Sequence, residues 1–135
     1  MYWEGGFSLN LNGDATKPIY IQIAEWLETE ILKGNHQPDE KMYSQYQLAE
    51  MFTINPATAA KGLSLLVEDG ILYKRRGLGM FVSHNAEKIL LTKRKEQTLV
   101  KLIEDVVQEA NRLRVSEEEL IKLIQLSNRK SKGDV

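Results

Sequence analysis

A chain of 135 residues with 42% apolar and 27% charged residues has room for one modest core and a small appendage, and its make-up is ordinary for a globular protein. No apolar run approaches the roughly 18 residues that a bilayer span requires. The absence of cysteine removes disulfides, thiolate zinc sites and a cysteine nucleophile.

The start, Met1-Tyr2-Trp3-Glu4-Gly5, has neither a basic n-region nor an apolar h-region, so a cytoplasmic protein is expected. A formal net charge of −1 does not by itself point to nucleic acid. Residues 17–84 hold seven Lys/Arg (Lys17, Lys33, Lys41, Lys61, Lys74, Arg75, Arg76) against eight Asp/Glu, and residues 86–135 hold eleven against nine. Any anion-binding surface therefore has to come from local segregation of charge. The one tight basic cluster in the first part is Lys74-Arg75-Arg76.

In chain order, residues 1–16 form an N-terminal arm, where alternation at Phe7, Leu9 and Leu11 allows a short edge strand. Thr16-Lys17-Pro18 reads as a helix start, with Thr16 as N-cap and Pro18 in the first turn. Ile19, Ile23, Trp26, Leu27 and Ile31 keep a near-helical period up to Gly34, predicting a first helix over about Pro18–Lys33. A second, short helix runs from Ser44 to Met51, with Ser44 and Gln47 at capping-box spacing. Asn55-Pro56 opens a third helix, because Asn is a strong N-cap and the residue before Pro is biased away from helical backbone. That helix stops at Gly70. Two helices joined by a turn of about four residues, Phe52 to Asn55, make a helix-turn-helix.

After Gly70 the period becomes strand-like. Ile71 to Lys74 and Met80 to Ser83 flank the glycine-containing turn Arg75-Arg76-Gly77-Leu78-Gly79, which predicts a hairpin and, with the preceding helices, a winged helix over residues 17–84. From residue 85 the helical period returns. Leu99, Leu102, Ile103, Val106, Val107, Ala110 and Leu113 form one apolar stripe, and Ser116 to Glu119 reads as a second capping box ahead of Leu120, Ile121, Leu123, Ile124 and Leu126. The predicted class is α+β: a winged helix-turn-helix domain, a two-helix dimerisation tail over residues 85–127, and a flexible, polar C-terminus over residues 128–135.

Four stretches share their order and spacing with a known family: Ser44-Gln45-Tyr46-Gln47-Leu48-Ala49, Asn55-Pro56-Ala57-Thr58-Ala59-Ala60-Lys61, Leu66-Val67-Glu68-Asp69-Gly70-Ile71, and Gly77-Leu78-Gly79-Met80-Phe81-Val82. Over about residues 17–83 the chain resembles the GntR family of bacterial transcription regulators. The Asn-Pro opening and the short tail are similar to its YtrA subfamily, in which two dimerising helices replace a large effector-binding domain. The resemblance implies that Ser44 caps the second helix and contacts phosphate, that Thr58 is on the exposed start of the recognition helix with Lys61 at a basic position, and that Gly77 and Gly79, with Arg76 before them, are the wing-turn glycines. Tyr46 stands where the family usually has an arginine on the DNA backbone, so a neutral hydroxyl replaces a charged clamp. Ala57 stands where a polar residue is common, and Met80 replaces a frequent threonine.

The residues support this independently. The N-terminal end of a recognition helix reads base edges in the major groove. Ala57, Thr58, Lys61 and Ser64 are predicted outward, with Ala59, Gly62, Leu63 and Leu66 inward. Ala57 can meet a thymine methyl, Thr58 a base or phosphate, and Lys61 a guanine or phosphate. The bland alternative is a solvated helix face. Gly62 costs roughly 1 kcal/mol against Ala mid-helix, which close approach of the first or second helix would explain. Lys74, Arg75 and Arg76 beside glycines suit a phosphate or a narrow minor groove.

The DNA-binding set is thus Ser44, Gln45, Tyr46, Asn55, Ala57, Thr58, Lys61, Ser64, Lys74, Arg75, Arg76, Gly77 and Gly79. The two histidines, His36 and His84, do not form a ligand set, so no metal is expected. Trp26 and Tyr20 read as core or interface residues, and Lys93-Arg94-Lys95 as a solvated face. No cofactor and no catalytic constellation are expected, since Gly77-Leu78-Gly79 leads into a strand instead of a helix. Expected partners are double-stranded DNA and a second copy of the chain, with a small-molecule effector possible. The competing expectation is a winged helix that docks protein, which the near-neutral charge of residues 17–84 favours.

Overall fold

The computed structural model describes residues 16–133. The arm expected over residues 1–16, with its alternation at Phe7, Leu9 and Leu11, lies outside the described residues except for Thr16. The elements are α1 (Ile19–Leu32), α2 (Gln45–Phe52), α3 (Pro56–Glu68), β1 (Leu72–Arg75), β2 (Gly79–Val82), α4 (Ala86–Lys93), a π-helical segment (Arg94–Leu99), α5 (Val100–Arg112) and α6 (Glu117–Ser131). The chain divides into two compact units after Thr92. Among the described residues, no helix is long and apolar enough to cross a membrane.

In the first unit, α1 begins after Pro18, not under a Thr16 cap. Pro18 holds the N-cap position with extended backbone and contributes no side-chain cap, while its carbonyl accepts from the Ile21 and Gln22 N–H groups. The Gln22 side chain adds a donor to the Lys17 carbonyl at 2.9 Å. The second helix starts as its capping box predicts: Ser44 Oγ accepts from Gln47 N–H at 3.1 Å, and the Gln47 side chain accepts from Ser44 N–H at 2.8 Å. The turn between α2 and α3 is three residues, Thr53 to Asn55, one fewer than the spacing suggested. It is tightened by Thr53 in left-handed backbone with φ 54°. Asn55 caps α3 by accepting from Ala57 N–H at 2.8 Å.

The inner face of α3 is Ala59, Gly62, Leu63 and Leu66, all buried. A Cβ on Gly62 would lie 2.9 Å from the Tyr20 carbonyl oxygen and 3.3 Å from Ile23 Cγ2. The helix-weakening glycine is what lets α1 press against α3, so of the two neighbours anticipated it is the first helix that approaches. The strands β1 and β2 pair antiparallel in the register Leu72↔Val82, Tyr73↔Phe81, Lys74↔Met80 and Arg75↔Gly79. The segment before α2 joins them, through a Lys41↔Phe81 bridge and a Met42 N–H donated to the Met80 carbonyl at 2.8 Å.

One core closes this unit. Ile23, Leu27, Leu48, Leu66 and Ile71 are fully buried, and Ala86 and Leu90 of α4 belong to the same cluster. That is why the unit runs on to Thr92, past the residue 84 at which the strand pattern ends.

In the second unit the helical period read from residue 85 to Leu113 is interrupted by the π-helical turn. Arg114 adopts left-handed backbone, φ 58°, and Val115 N–H donates to the Ala110 carbonyl, closing α5. Ser116 Oγ caps α6 by accepting from Glu119 N–H at 3.1 Å, but the reciprocal half of the predicted capping box is not formed. Helix α6 runs to Ser131, three residues beyond the predicted start of the flexible terminus. Arg129 and Lys130 lie in its last turn, where cations complement the helix dipole.

Ala110 is the one tail residue of the predicted apolar set that is buried. Leu120 is half-buried. Leu99, Leu102, Ile103, Val106, Val107, Leu113, Ile121, Leu123 and Ile124 are between 41% and 64% exposed.

Candidate nucleic-acid interface

Three loci of the first unit carry the predicted DNA contacts, and capping chemistry fixes two of them. Ser44 spends its oxygen lone pair on the α2 cap, which leaves the hydroxyl proton to donate outward. Gln45 and Tyr46 follow in the first turn, with Tyr46 69% exposed. Asn55 likewise spends its carbonyl oxygen on the α3 cap and keeps two amide donors. On α3 the exposed residues Ala57, Lys61 and Ser64 fall at i, i+4 and i+7 on one face, with Thr58 half-buried beside them. The Lys61 ammonium stands 4.2 Å from the centre of the Tyr20 ring.

The third locus is the hairpin turn. Leu78 N–H donates to the Arg75 carbonyl at 2.9 Å, and Gly77 takes φ 76° at the third position, which an L side chain rarely adopts. The basic cluster does not act as one patch. Strand alternation sends Lys74 to one face of the hairpin and Arg75 to the other. The Arg75 guanidinium lies 5.0 Å over the Phe81 ring and 5.6 Å from that of Tyr73, and these two rings stack across the strands at 5.8 Å. Arg76 is exposed in the turn.

On the Lys74 face, a cleft of about 190 Å³ is lined by Lys41, Ser44, Gln45, Tyr46, Lys74 and Gly79, together with Met42, Tyr43, Leu63 and Met80. It brings the start of α2 and the wing to one surface, with two lysines and no carboxylate in its lining. That cleft thus carries positive side chains although the total of residues 17–84 is near neutral.

Lys41 is the residue that the sequence pattern missed. It stands alone in a loop, and only its pairing with Phe81 carries it to the wing. There its Cε would sit 3.0 Å from any Cβ at position 79, so the glycine makes room for the lysine stem. Asp39 was equally silent. Its Oδ1 accepts from the Tyr73 hydroxyl at 2.6 Å, and its Oδ2 lies 2.6 Å from His84 Nε2, so His84 serves the base of the wing. The Tyr73 hydrogen bond, aided by nearby His84 and Arg75, holds the Asp39 carboxyl below its ordinary value against the opposing pull of partial desolvation. The same bond pushes the Tyr73 phenol up.

With this geometry in place, the family model for bacterial regulatory proteins of the gntR family matches residues 19–82. The winged domain of this chain belongs to the GntR family. The match covers the winged domain, α1 to β2.

The transcriptional repressor NagR of Bacillus subtilis is 44% identical over 75 residues, covering 56% of this chain and 31% of NagR. The repressor YtrA of the same organism is 32% identical over 83 residues, 62% of this chain and 64% of YtrA. The chain thus spans less than two thirds of the length of these curated relatives. A solved GntR family transcriptional regulator from Listeria monocytogenes superposes with a TM-score of 0.68 at 28% identity, over 83% of this chain and 96% of that one.

Proposed function

We propose that the chain is a cytoplasmic repressor that binds a pseudo-palindromic operator as a homodimer. In this reading α3 enters the major groove with Ala57, Thr58, Lys61 and Ser64 toward base edges. Ser44, Gln45, Tyr46 and Asn55 hold the backbone with neutral donors, and the wing supplies charge through Lys74, Arg75 and Arg76, with Gly77 and Gly79 admitting close approach. Lys41 joins the wing set and offsets the missing charge at Tyr46.

The observation that carries the dimer is the exposed apolar face of α5 and α6. Val106 and Val107 are 41% and 42% exposed, on helices whose other faces carry the pairs Lys101–Asp105, Glu109–Arg112 and Glu118–Lys122. A contiguous apolar stripe rimmed by charge marks a protein-binding surface, and a two-fold pairing of identical tails is the commonest way to cover one. Such a dimer places two recognition helices on half-sites about 10 base pairs, one helical turn, apart. Because the tail would set that spacing, it is also where an effector molecule could alter affinity.

The test is the oligomeric state of the full chain by light scattering, with operator affinity measured in parallel. The wild type should be dimeric at micromolar concentration. The double variant Val106→Asp, Val107→Asp should be a folded monomer with operator affinity reduced at least about a hundredfold, toward the non-specific level. A monomeric wild type that still binds its operator tightly would sink the reading.

A further inference from the structure

We infer that Tyr20, on α1, is a positioning residue for base recognition: its ring seats the Lys61 ammonium on the reading face of α3. The inference rests on the reading of α3 given above. It adds a residue from outside the helix-turn-helix to the specificity machinery.

Three observations converge on it. The Lys61 ammonium stands 4.2 Å from the Tyr20 ring centre, within the range at which a cation is attracted to the negative face of an aromatic ring. No carboxylate among the described residues competes for Lys61 through an ion pair. The backbone that carries the ring is set by the next residue along α3. At Gly62 a Cβ would meet the Tyr20 carbonyl oxygen at 2.9 Å and Ile23 Cγ2 at 3.3 Å, so α1 and α3 are locked together at the level of Lys61. A free lysine has four rotatable bonds and strongly hydrated, freely turning donors, which makes it a poor reader of one base edge. A lysine whose ammonium rests on an aromatic ring has already lost part of that freedom before DNA arrives, and pre-organisation of this kind raises discrimination without adding a contact. Tyr20 thereby turns a generic phosphate-binding cation into a directed donor for the guanine O6/N7 edge.

The experiment uses the full chain and the duplex that it selects from a random-sequence pool, together with every single-base variant of that duplex. Lys61→Met should flatten preference at one base-pair position of each half-site. Tyr20→Leu should weaken preference at that same position by about two- to fivefold, the size of an exposed cation–π contact, and leave the other positions unchanged. Tyr20→Phe should keep the wild-type profile, because the ring face remains. The double variant Tyr20→Leu, Lys61→Met should be no worse than Lys61→Met alone.

If Tyr20→Leu fails to fold, Tyr20→Phe with a progressively fluorinated ring keeps the shape and removes the negative face. Discrimination should then fall with each fluorine. In the free protein, the Lys61 ε-methylene protons should be shifted upfield by the ring and should relax to ordinary positions as Tyr20 is replaced by Leu. An even loss of affinity on all duplexes, additive effects of the two substitutions, or indifference to fluorination would overturn the role of Tyr20 and leave Lys61 as the reader. If Lys61→Met flattens no position, the reading of α3 fails, and the role of Tyr20 with it.

Discussion

Both compact units place an apolar residue at nearly every third or fourth helical position, yet they dispose of those residues in opposite ways. In the winged unit Leu27, Leu48, Leu66 and Leu90 are fully buried, because three helices, a hairpin and α4 enclose a common interior. In the tail, Leu99, Leu102 and Leu113 are 52%, 54% and 64% exposed, because two helices joined by a short turn can cover only a strip of each other. The winged unit is a finished core within one chain. The tail leaves its apolar stripe open, the kind of surface that marks a protein-binding site. Periodicity alone cannot tell the two apart. What decides is how many other elements the same unit can bring around the stripe.

The sharpest way to break this contrast is a pair of matched truncations. Leu27→Ala should cost about 2–5 kcal/mol of stability, the range for a fully buried leucine whose site collapses only partly. In a dilute, monomeric sample Leu102→Ala should cost no more than about 0.5 kcal/mol, the range for surface substitutions. Denaturant titration with each unit monitored separately would show it. If two tails pair as proposed, the Leu102→Ala deficit should grow as concentration rises, because pairing would stabilise the folded tail by mass action. Equal costs at all concentrations would mean that the tail is closed within its own chain.

The next effect is electrostatic and belongs to the winged unit alone. Replacing both Arg75 and Arg76 with Ala should weaken binding to every duplex and lower the slope of log affinity against log salt by about one unit per lost phosphate contact, with the oligomeric state unchanged. The geometry refines this. Arg75 is drawn over the Tyr73 and Phe81 rings, so Arg76→Ala should account for more of the slope than Arg75→Ala. Lys41→Ala should behave like a wing substitution although it lies before α2. A salt slope indifferent to all three would remove the wing from the mechanism. Ser44→Ala is smaller: about 1 kcal/mol of helix stability, as for other N-caps, and an even loss of affinity across sequences, readable by thermal melting and gel shift.

Much of the winged unit was legible from the residues because its signals are local. The capping box at Ser44 and Gln47, the Asn55-Pro56 opening and the glycine-bounded wing each need only a few neighbours, and each forms where its spacing places it. The inward face of α3 followed from the 3.6-residue period. Signals that depend on long-range pairing were not legible. Lys41 reaches the wing only through its bridge to Phe81, forty residues away, and Asp39 meets Tyr73 only after the hairpin has folded back. The start of α1 was misread because Thr16 looks like a cap by type. Pro18 sets the boundary by extended backbone instead. Gly62 announced a close approach but not its partner, which is Tyr20.

The smallest effect concerns pH and the base of the wing. The Tyr73 hydroxyl donates to Asp39, and this one bond moves two titrations apart: it depresses the Asp39 carboxyl and raises the Tyr73 phenol. For Asp39 the folded value lies below the ordinary 3.8, so its contribution is complete above that value and is lost as pH falls through the depressed one. For Tyr73 the folded value lies above 10.0, so its contribution is complete below that value and is lost as pH rises through the raised one. Tyr73→Phe removes the donor, and with it the whole alkaline limb and the largest part of the acid one, the rest of which His84 and Arg75 maintain. The stability difference between wild type and Tyr73→Phe, followed by urea titration, should therefore be flat through neutral pH and shrink at both extremes. In the comparison with Asp39→Asn the carboxylate itself is gone, so the difference should carry the whole acid limb, including the part that His84 and the nearby Arg75 charge maintain. Because the whole cluster sits in the winged unit, the same substitutions should leave the oligomeric state unchanged. A Tyr73→Phe difference that varied steadily across neutral pH would show that the hydrogen bond to Asp39 is not what ties the base of the wing to the loop before α2.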